Sequence, residues 1–343
     1  MGKIDLLNME EDEVSYGLKG LKILIYGKNT LGKTPQAMKF PKPLLIMGES
    51  GGSALKGYKV SVSKKRDFVD TITQLTDPRT IDKMQEKFQT IVIDTIEDII
   101  EYYEVALAKE FGVRDVGEIQ KLEKGNPNGY SVYRKEFKQH INMLTNCGYT
   151  VIFIAHEETI EIEDENGNTT TFIQPKGSKG DKSSSRFIRD LCDFRFYIKG
   201  NGIDRETNKT IMSTAWCVET KEFYAGSRYA IQSFVNPFTA ENIIEAIEKA
   251  QKKSAEEQNS GLKEFKVITD NYTREDYLEA IKPYIVKLNK LYPDDVLDIV
   301  ESQLGEGVKV SSATDEQLTE LDTIYMRLVS LACDRGIVVN TGV

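Results

Sequence analysis

Gly27-Lys28-Asn29-Thr30-Leu31-Gly32-Lys33-Thr34 reads G-x-x-x-x-G-K-T and directly follows the apolar run Leu21-Lys22-Ile23-Leu24-Ile25-Tyr26. A strand running into a glycine-bounded loop, with Lys and Thr at the mouth of a helix, is a phosphate cradle. The glycines allow close backbone approach, and the loop N–H groups and helix N-terminus face anionic oxygens. Lys33 reaches the β- and γ-phosphates of a nucleotide such as ATP, and Thr34 offers a hydroxyl to Mg²⁺. Pro35 falls in the first helical turn, where a missing N–H costs little. The bland alternative for these residues is a surface turn before an ordinary helix.

Two further apolar runs end in acids. Pro43-Leu44-Leu45-Ile46-Met47 has the pattern of a buried parallel strand and is followed by Gly48-Glu49-Ser50-Gly51-Gly52. Ligands of doubly wound sheets bind at that end of the strands, so Glu49 is either the group that polarises an attacking water or a solvated turn acid. Phe88-Gln89-Thr90-Ile91-Val92-Ile93-Asp94 is a β-branched strand closed by a carboxylate, the form of a residue that holds Mg²⁺ through its water shell. Tyr149 to Ala155 is a third buried strand, and His156 follows it. His156 either senses the γ-phosphate or activated water and passes that state into the next loop, or is a structural hydrogen-bonder; His140, on the preceding helix, reads as structural.

Between and beyond these strands the punctuation is polar. Residues 1–20 read as an extended arm or edge segment, and 112–129, broken by Gly117, Gly125, Pro127 and Gly129, as a surface loop. Ile160–Ile162 and Thr169–Ile173 flank Asn166-Gly167, a hairpin signal. The Gly/Ser/Lys-rich segment 175–186 is then either a disordered linker or a loop that closes on a polyanion through Lys176, Lys179, Lys182 and Arg186. Phe194–Ile198 and Thr214–Val218 read as antiparallel strands. Lys221 and Arg228 behind them either reach a neighbouring subunit's nucleotide or are surface charge. Thr239 is the expected N-cap of a helix over 240–250. The polar stretch 251–261 reads as a linker, and 262–343 as helical, with apolar stripes such as Leu321, Ile324 and Leu328.

At 343 residues a main domain with a smaller appendage is expected. The division is an α/β domain over 1–250, a linker over 251–261 and a helical C-terminal domain over 262–343. The net charge of −9 argues against a basic coat for non-specific nucleic-acid binding, yet the charge is uneven: residues 157–165 carry six acids, while Lys176 to Lys199 is rich in Lys and Arg. No apolar run approaches the ~18 residues of a membrane span, and Met1-Gly2-Lys3-Ile4-Asp5 does not open a signal peptide. Four scattered cysteines and two histidines support neither zinc nor a disulfide framework, so a cytoplasmic protein without membrane association is expected.

With these pieces placed, about 250 N-terminal residues resemble the phage-encoded RecA-like ATPases called phage nucleotide-binding proteins, the Sak-four group of single-strand-annealing recombinases. The resemblance rests on GKNTLGKT, LLIMGESGG, TIVIDT and VIFIAHEE followed by a hairpin and a flexible loop. The family's usual Asp two residues before the Glu is Met47 here. The resemblance implies a RecA-like P-loop NTPase core with a mainly parallel sheet. It makes Lys33 and Thr34 ligands of phosphate and Mg²⁺, Glu49 the general base, Asp94 the magnesium-shell carboxylate and His156 the polar relay. It implies single-stranded DNA at the loops over 112–129 and 157–185, and a homo-oligomer or filament with ATP between subunits in a host cytoplasm, with a single-strand-binding protein as a further expected partner. The expected activity is DNA-stimulated ATP hydrolysis serving strand annealing or exchange. Its rivals are a P-loop kinase for a nucleotide or small molecule and a nucleotide-dependent partner-binding switch.

Overall fold

The computed structural model describes residues 11–48, 55–77, 79–122, 128–163, 167, 169–177, 186–265, 273–314, 317–335, 337 and 339. They fall into two compact units, one spanning Glu11–Ile268 and the other including Thr269–Val343.

The first unit begins with β1 (Val14–Tyr16), β2 (Lys22–Gly27), the short helix α1 (Lys33–Ala37), β3 (Pro43–Met47) and β4 (Tyr58–Ser61). Helices α2 (Lys65–Thr76) and α3 (Ile81–Lys87) lead to β5 (Thr90–Asp94) and α4 (Ile96–Glu110), then α5 (Ile119–Leu122) and α6 (Gly129–Asn146). After β6 (Thr150–Ala155) come the hairpin strands β7 (Glu157–Glu163) and β8 (Thr169–Pro175), α7 (Arg186–Leu191) and β9 (Phe194–Lys199). Short strands β10 (Thr214–Trp216), β11 (Gly226–Ser227) and β12 (Phe234–Val235), the long helix α8 (Ala240–Glu257) and β13 (Leu262–Glu264) complete it.

Six strands run parallel in the order β9-β2-β6-β5-β3-β4, and β10, β11 and β12 extend the β9 side antiparallel. The central strands are continuous apolar runs because both sheet faces are covered. Along β2, Leu24 and Tyr26 face the core that holds Phe68, Tyr103 and Phe137 of α2, α4 and α6. Ile23 and Ile25 face the opposite core, with Phe40, Ile243 and Ile247. The order also sets the functional edge. β6 lies between β2 and β5, with Tyr26 opposite Ala155 and Ile154 opposite Asp94, so the loop after β2, His156 and Asp94 emerge side by side.

Two expectations change. The segment 112–129 is not wholly a surface loop: Val116 and Ile119 are buried among α4 and α6 residues, and a Cβ on Gly129 would sit 2.2 Å from the Val116 carbonyl oxygen. The glycine there permits close packing rather than marking a solvated loop. Nor is 251–261 all linker, since α8 continues to Glu257. Its polar residues have fixed partners: Gln251, fully buried, accepts from the Gly17 N–H at 3.0 Å and donates to the Gly17 carbonyl at 2.9 Å. Ser254 accepts from the Ala230 N–H at 2.9 Å. Beyond it β13 pairs parallel with β1, giving part of the N-terminal arm a place in a two-stranded sheet.

The second unit contains α9 (Arg274–Leu288), α10 (Pro293–Leu304) and α11 (Leu318–Asp334). Thr273 and Asp276 form a capping box at the start of α9. Ile281, Leu288, Val300, Leu321, Ile324 and Leu328 fill a core that shares no residue with the other two. Among the described residues, no helix is long and apolar enough to cross a membrane.

Candidate nucleotide site

The loop after β2 keeps its shape through backbone conformations that its sequence permits. Gly27 (φ 151°) abuts β9 so closely that a Cβ would lie 2.5 Å from the Ile198 carbonyl oxygen. Gly32 (φ 83°) is the left-handed N-cap of α1, and a Cβ there would meet no protein atom within 4 Å, so that side of the loop is clear for a ligand. Thr30 is also left-handed (φ 65°), with its hydroxyl 2.6 Å from the Asn29 carbonyl. The Leu31 carbonyl accepts from the Ser213 hydroxyl at 3.3 Å. α1 is only five residues long, and Pro35 lacks an N–H. The anion-binding capacity therefore comes from the loop and first-turn N–H groups more than from a macrodipole.

Lys33 is buried and its Nζ donates to the carbonyls of Gly27 and Lys28, each at 2.7 Å, so the loop curls around the ammonium. Thr34 donates its hydroxyl to Asp94 Oδ2 at 2.7 Å. Burial pushes the Lys33 pKa down, against Asp94, Glu97 and Glu157, which push it up. Burial pushes the Asp94 pKa up, opposed by the Thr34 hydroxyl, Lys33 and His156. A desolvated cation and a desolvated anion thus face a cavity of about 540 Å³, lined also by Asn29, Thr30, Gly32 and His156. A hydroxyl and a carboxylate in contact are hard oxygen donors of the kind Mg²⁺ takes while keeping much of its water. Among the described residues no group of three or more His, Cys, Asp and Glu could form a metal cage. Thr34 and Asp94, through this hydroxyl and carboxylate, are the residues that would hold Mg²⁺, and the ion would supply positive charge against phosphate there.

The structure brings Lys33 and Thr34, at the start of α1, to the same cavity as Asp94 and His156, at the ends of β5 and β6. Glu49, Lys179 and Lys182 lie outside the described residues. The residue before Glu49 is fixed: the Gly48 N–H donates to the Asp94 carbonyl at 2.9 Å, and Tyr102 donates to the Gly48 carbonyl at 2.8 Å. Arg186 begins α7, Lys176 follows β8, and Lys221 is exposed. Arg228, the other cation expected for a neighbouring subunit's nucleotide, has partners within its own chain. It pairs with Asp193 at 3.0 Å and donates to the Asp190 carbonyl at 2.9 Å, while Asp193 Oδ2 accepts from the N–H of Lys22 at the amino end of β2.

Sequence reasoning missed Glu97. Its Oε1 accepts from the His156 N–H at 2.7 Å and lies 3.6 Å from His156 Nδ1. The available signal, an acid in the first turn of a helix, is shared by most helices. Glu97 also lines a neighbouring cavity of about 560 Å³ with Asp98, Glu101, Glu104, Asp115 and Glu158, where Arg114 and Lys176 are the cations.

A family model described as "AAA domain" matches residues 19–229. Over 342 residues the chain is 31% identical to the "SPbeta prophage-derived uncharacterized protein YorG" of Bacillus subtilis (strain 168), covering 96% of this chain and 99% of that protein.

Proposed function

The chain belongs to the AAA domain family, and on that premise we propose that it is a Mg²⁺-dependent ATPase that binds single-stranded DNA as a RecA-like recombination protein, working as a homo-oligomer or filament. The observation that carries the ATPase part is the convergence of Lys33, Thr34, Asp94 and His156 on one cavity. Lys33 and the loop amides would stabilise charge on the β- and γ-phosphates, and Glu49 would orient the attacking water. The family match supports the nucleotide reading, and the prophage-derived relative supports a phage connection; the DNA reading rests on the hairpin and on the basic residues Lys176, Lys179, Lys182 and Arg186 that follow it.

A second reading has its own support. The exposed strand β7 carries Glu161 and Glu163, and the cavity beside the nucleotide site is ringed by acids, surfaces that repel a polyanion. They favour a nucleotide-dependent switch that engages a cationic partner. Phosphate release measured with and without single-stranded DNA, together with salt-titrated DNA binding, separates the readings. Stimulation by DNA, and binding that weakens with a flatter salt slope when Lys176, Lys179 and Lys182 are changed to Ala, is expected for the recombination protein. Turnover indifferent to DNA favours the switch, and phosphoryl transfer to a nucleoside monophosphate without DNA would refute both in favour of a kinase.

A further inference from the structure

First-turn acids of helices ordinarily face water and their own helix's N–H groups. Glu97 does neither. Its side chain is 14% exposed and reaches across to the end of β6. Its second oxygen, Oε2, is buried with no hydrogen-bond partner among the described residues. Burying a carboxylate with half its acceptor capacity unused is costly, so its one strong contact is the feature to explain.

That contact fixes a junction. His156 lines the nucleotide cavity, and both of its peptide groups are bound: the N–H to Glu97 at 2.7 Å, and the carbonyl to the Lys176 N–H at 2.9 Å. Glu157 begins β7 opposite Pro175, the last residue of β8, so Lys176 and Glu157 are the two feet of the hairpin. Glu97 stands three residues after Asp94 on the helix that follows β5. One carboxylate therefore links the helix after the magnesium-shell residue to a residue shared by the cavity wall and the hairpin root.

We propose that Glu97 is a positioning residue: it holds His156 against the nucleotide cavity and thereby joins the phosphate end of the nucleotide to the root of the β7–β8 hairpin. This rests on the reading of the cavity as a MgATP site. Glu97→Ala removes the acceptor and the charge. Glu97→Gln keeps an oxygen for the His156 N–H but removes the charge beside Nδ1.

The test measures steady-state phosphate release, affinity for a fluorescent ATP analogue, and amide hydrogen exchange in β7 and β8 with and without Mg²⁺ and a non-hydrolysable ATP analogue. Glu97→Ala is expected to lower kcat by about 10- to 100-fold, as loss of supporting contacts around a metal site does. Affinity should stay within about threefold of wild type, and analogue-induced protection of the hairpin amides should disappear. Glu97→Gln should keep that protection while kcat falls. Glu97→Ala with wild-type kcat and protection overturns the proposal, as does loss of affinity in proportion to kcat, the mark of a merely structural role. If Glu97→Ala does not fold, Glu97→Gln decides: lowered kcat at unchanged affinity supports the assignment, and wild-type kcat overturns it. Wild-type protein without nucleotide-dependent turnover or protection overturns the ATPase reading and this one with it, whereas an active wild type matched by its variants overturns this one alone.

Discussion

Lys33 shows what a desolvated charge requires. Its ammonium is buried, its pKa is pushed down by that burial, and it is held by two carbonyl oxygens and by the field of Asp94. Neutral carbonyls compensate a buried cation only in part, so anionic oxygens such as those of a phosphate would be stronger partners. Lys33→Ala is accordingly expected to weaken MgATP binding at least about 30-fold, since truncating one partner of a buried charge pair costs about 2 kcal/mol or more. Calorimetric titration with MgATP checks this, and unchanged affinity would remove the central assignment. Residues of this kind are legible because the chemistry dictates their type and spacing together: a Lys between Gly32 and Thr34, at the end of a glycine-bounded loop that follows a strand, has few other uses. Glu97 was not legible, because what sets it apart is the direction its side chain takes across to β6, which leaves no local pattern.

At the scale of elements, the central strands were read correctly because burial on both faces leaves an unmistakable apolar run. What no run discloses is strand order, and order is what inserts β6 between β2 and β5 and brings His156 beside Asp94. Helices α4 and α6 give an example with a measurable consequence. The Tyr103 hydroxyl of α4 lies 2.7 Å from His140 Nδ1 of α6, and burial pushes the His140 pKa down. The Tyr103 pKa is raised by burial, so its hydroxyl keeps its proton and donates to a neutral ring. A histidine depressed in the folded state costs nothing above its unfolded pKa of about 6.5. Below that value the unfolded chain binds a proton that the folded chain resists, so stability falls as pH drops toward the folded pKa. His140→Gln should therefore flatten the dependence of Tm on pH between about pH 7.5 and 5.5. A variant whose curve parallels wild type would show that His140 does not carry that dependence.

For the molecule as a whole, the question is where the nucleotide-binding unit ends. Composition places the break near residue 250, because Gln251-Lys252-Lys253-Ser254 and the residues after them look like solvated linker. The structure gives those residues work inside the first unit: Gln251 closes both backbone groups of Gly17, Ser254 takes the Ala230 N–H, Ala255 is buried, and β13 pairs with β1. A polar residue buried against one backbone site and a polar residue in water have the same composition, which is why the sequence pattern misplaced the end of α8. Two truncations separate the alternatives. A chain ending at Ile268 keeps α8 and β13 whole and leaves out a core that shares no side chain with the rest. It should fold cooperatively and bind MgATP within about threefold of the full chain. A chain ending at Ala250 removes the partners of the Gly17 N–H and carbonyl, the Ala230 N–H and the Val14 N–H, at about 1 kcal/mol each, and loses β13 besides. It should melt at least about 6 °C below the longer truncation. Thermal melting followed by circular dichroism, with MgATP titration of each chain, gives the comparison. Equal melting temperatures would restore the boundary at 250, and a chain ending at Ile268 that fails to fold would mean that the helices of the second unit are needed to hold the first together.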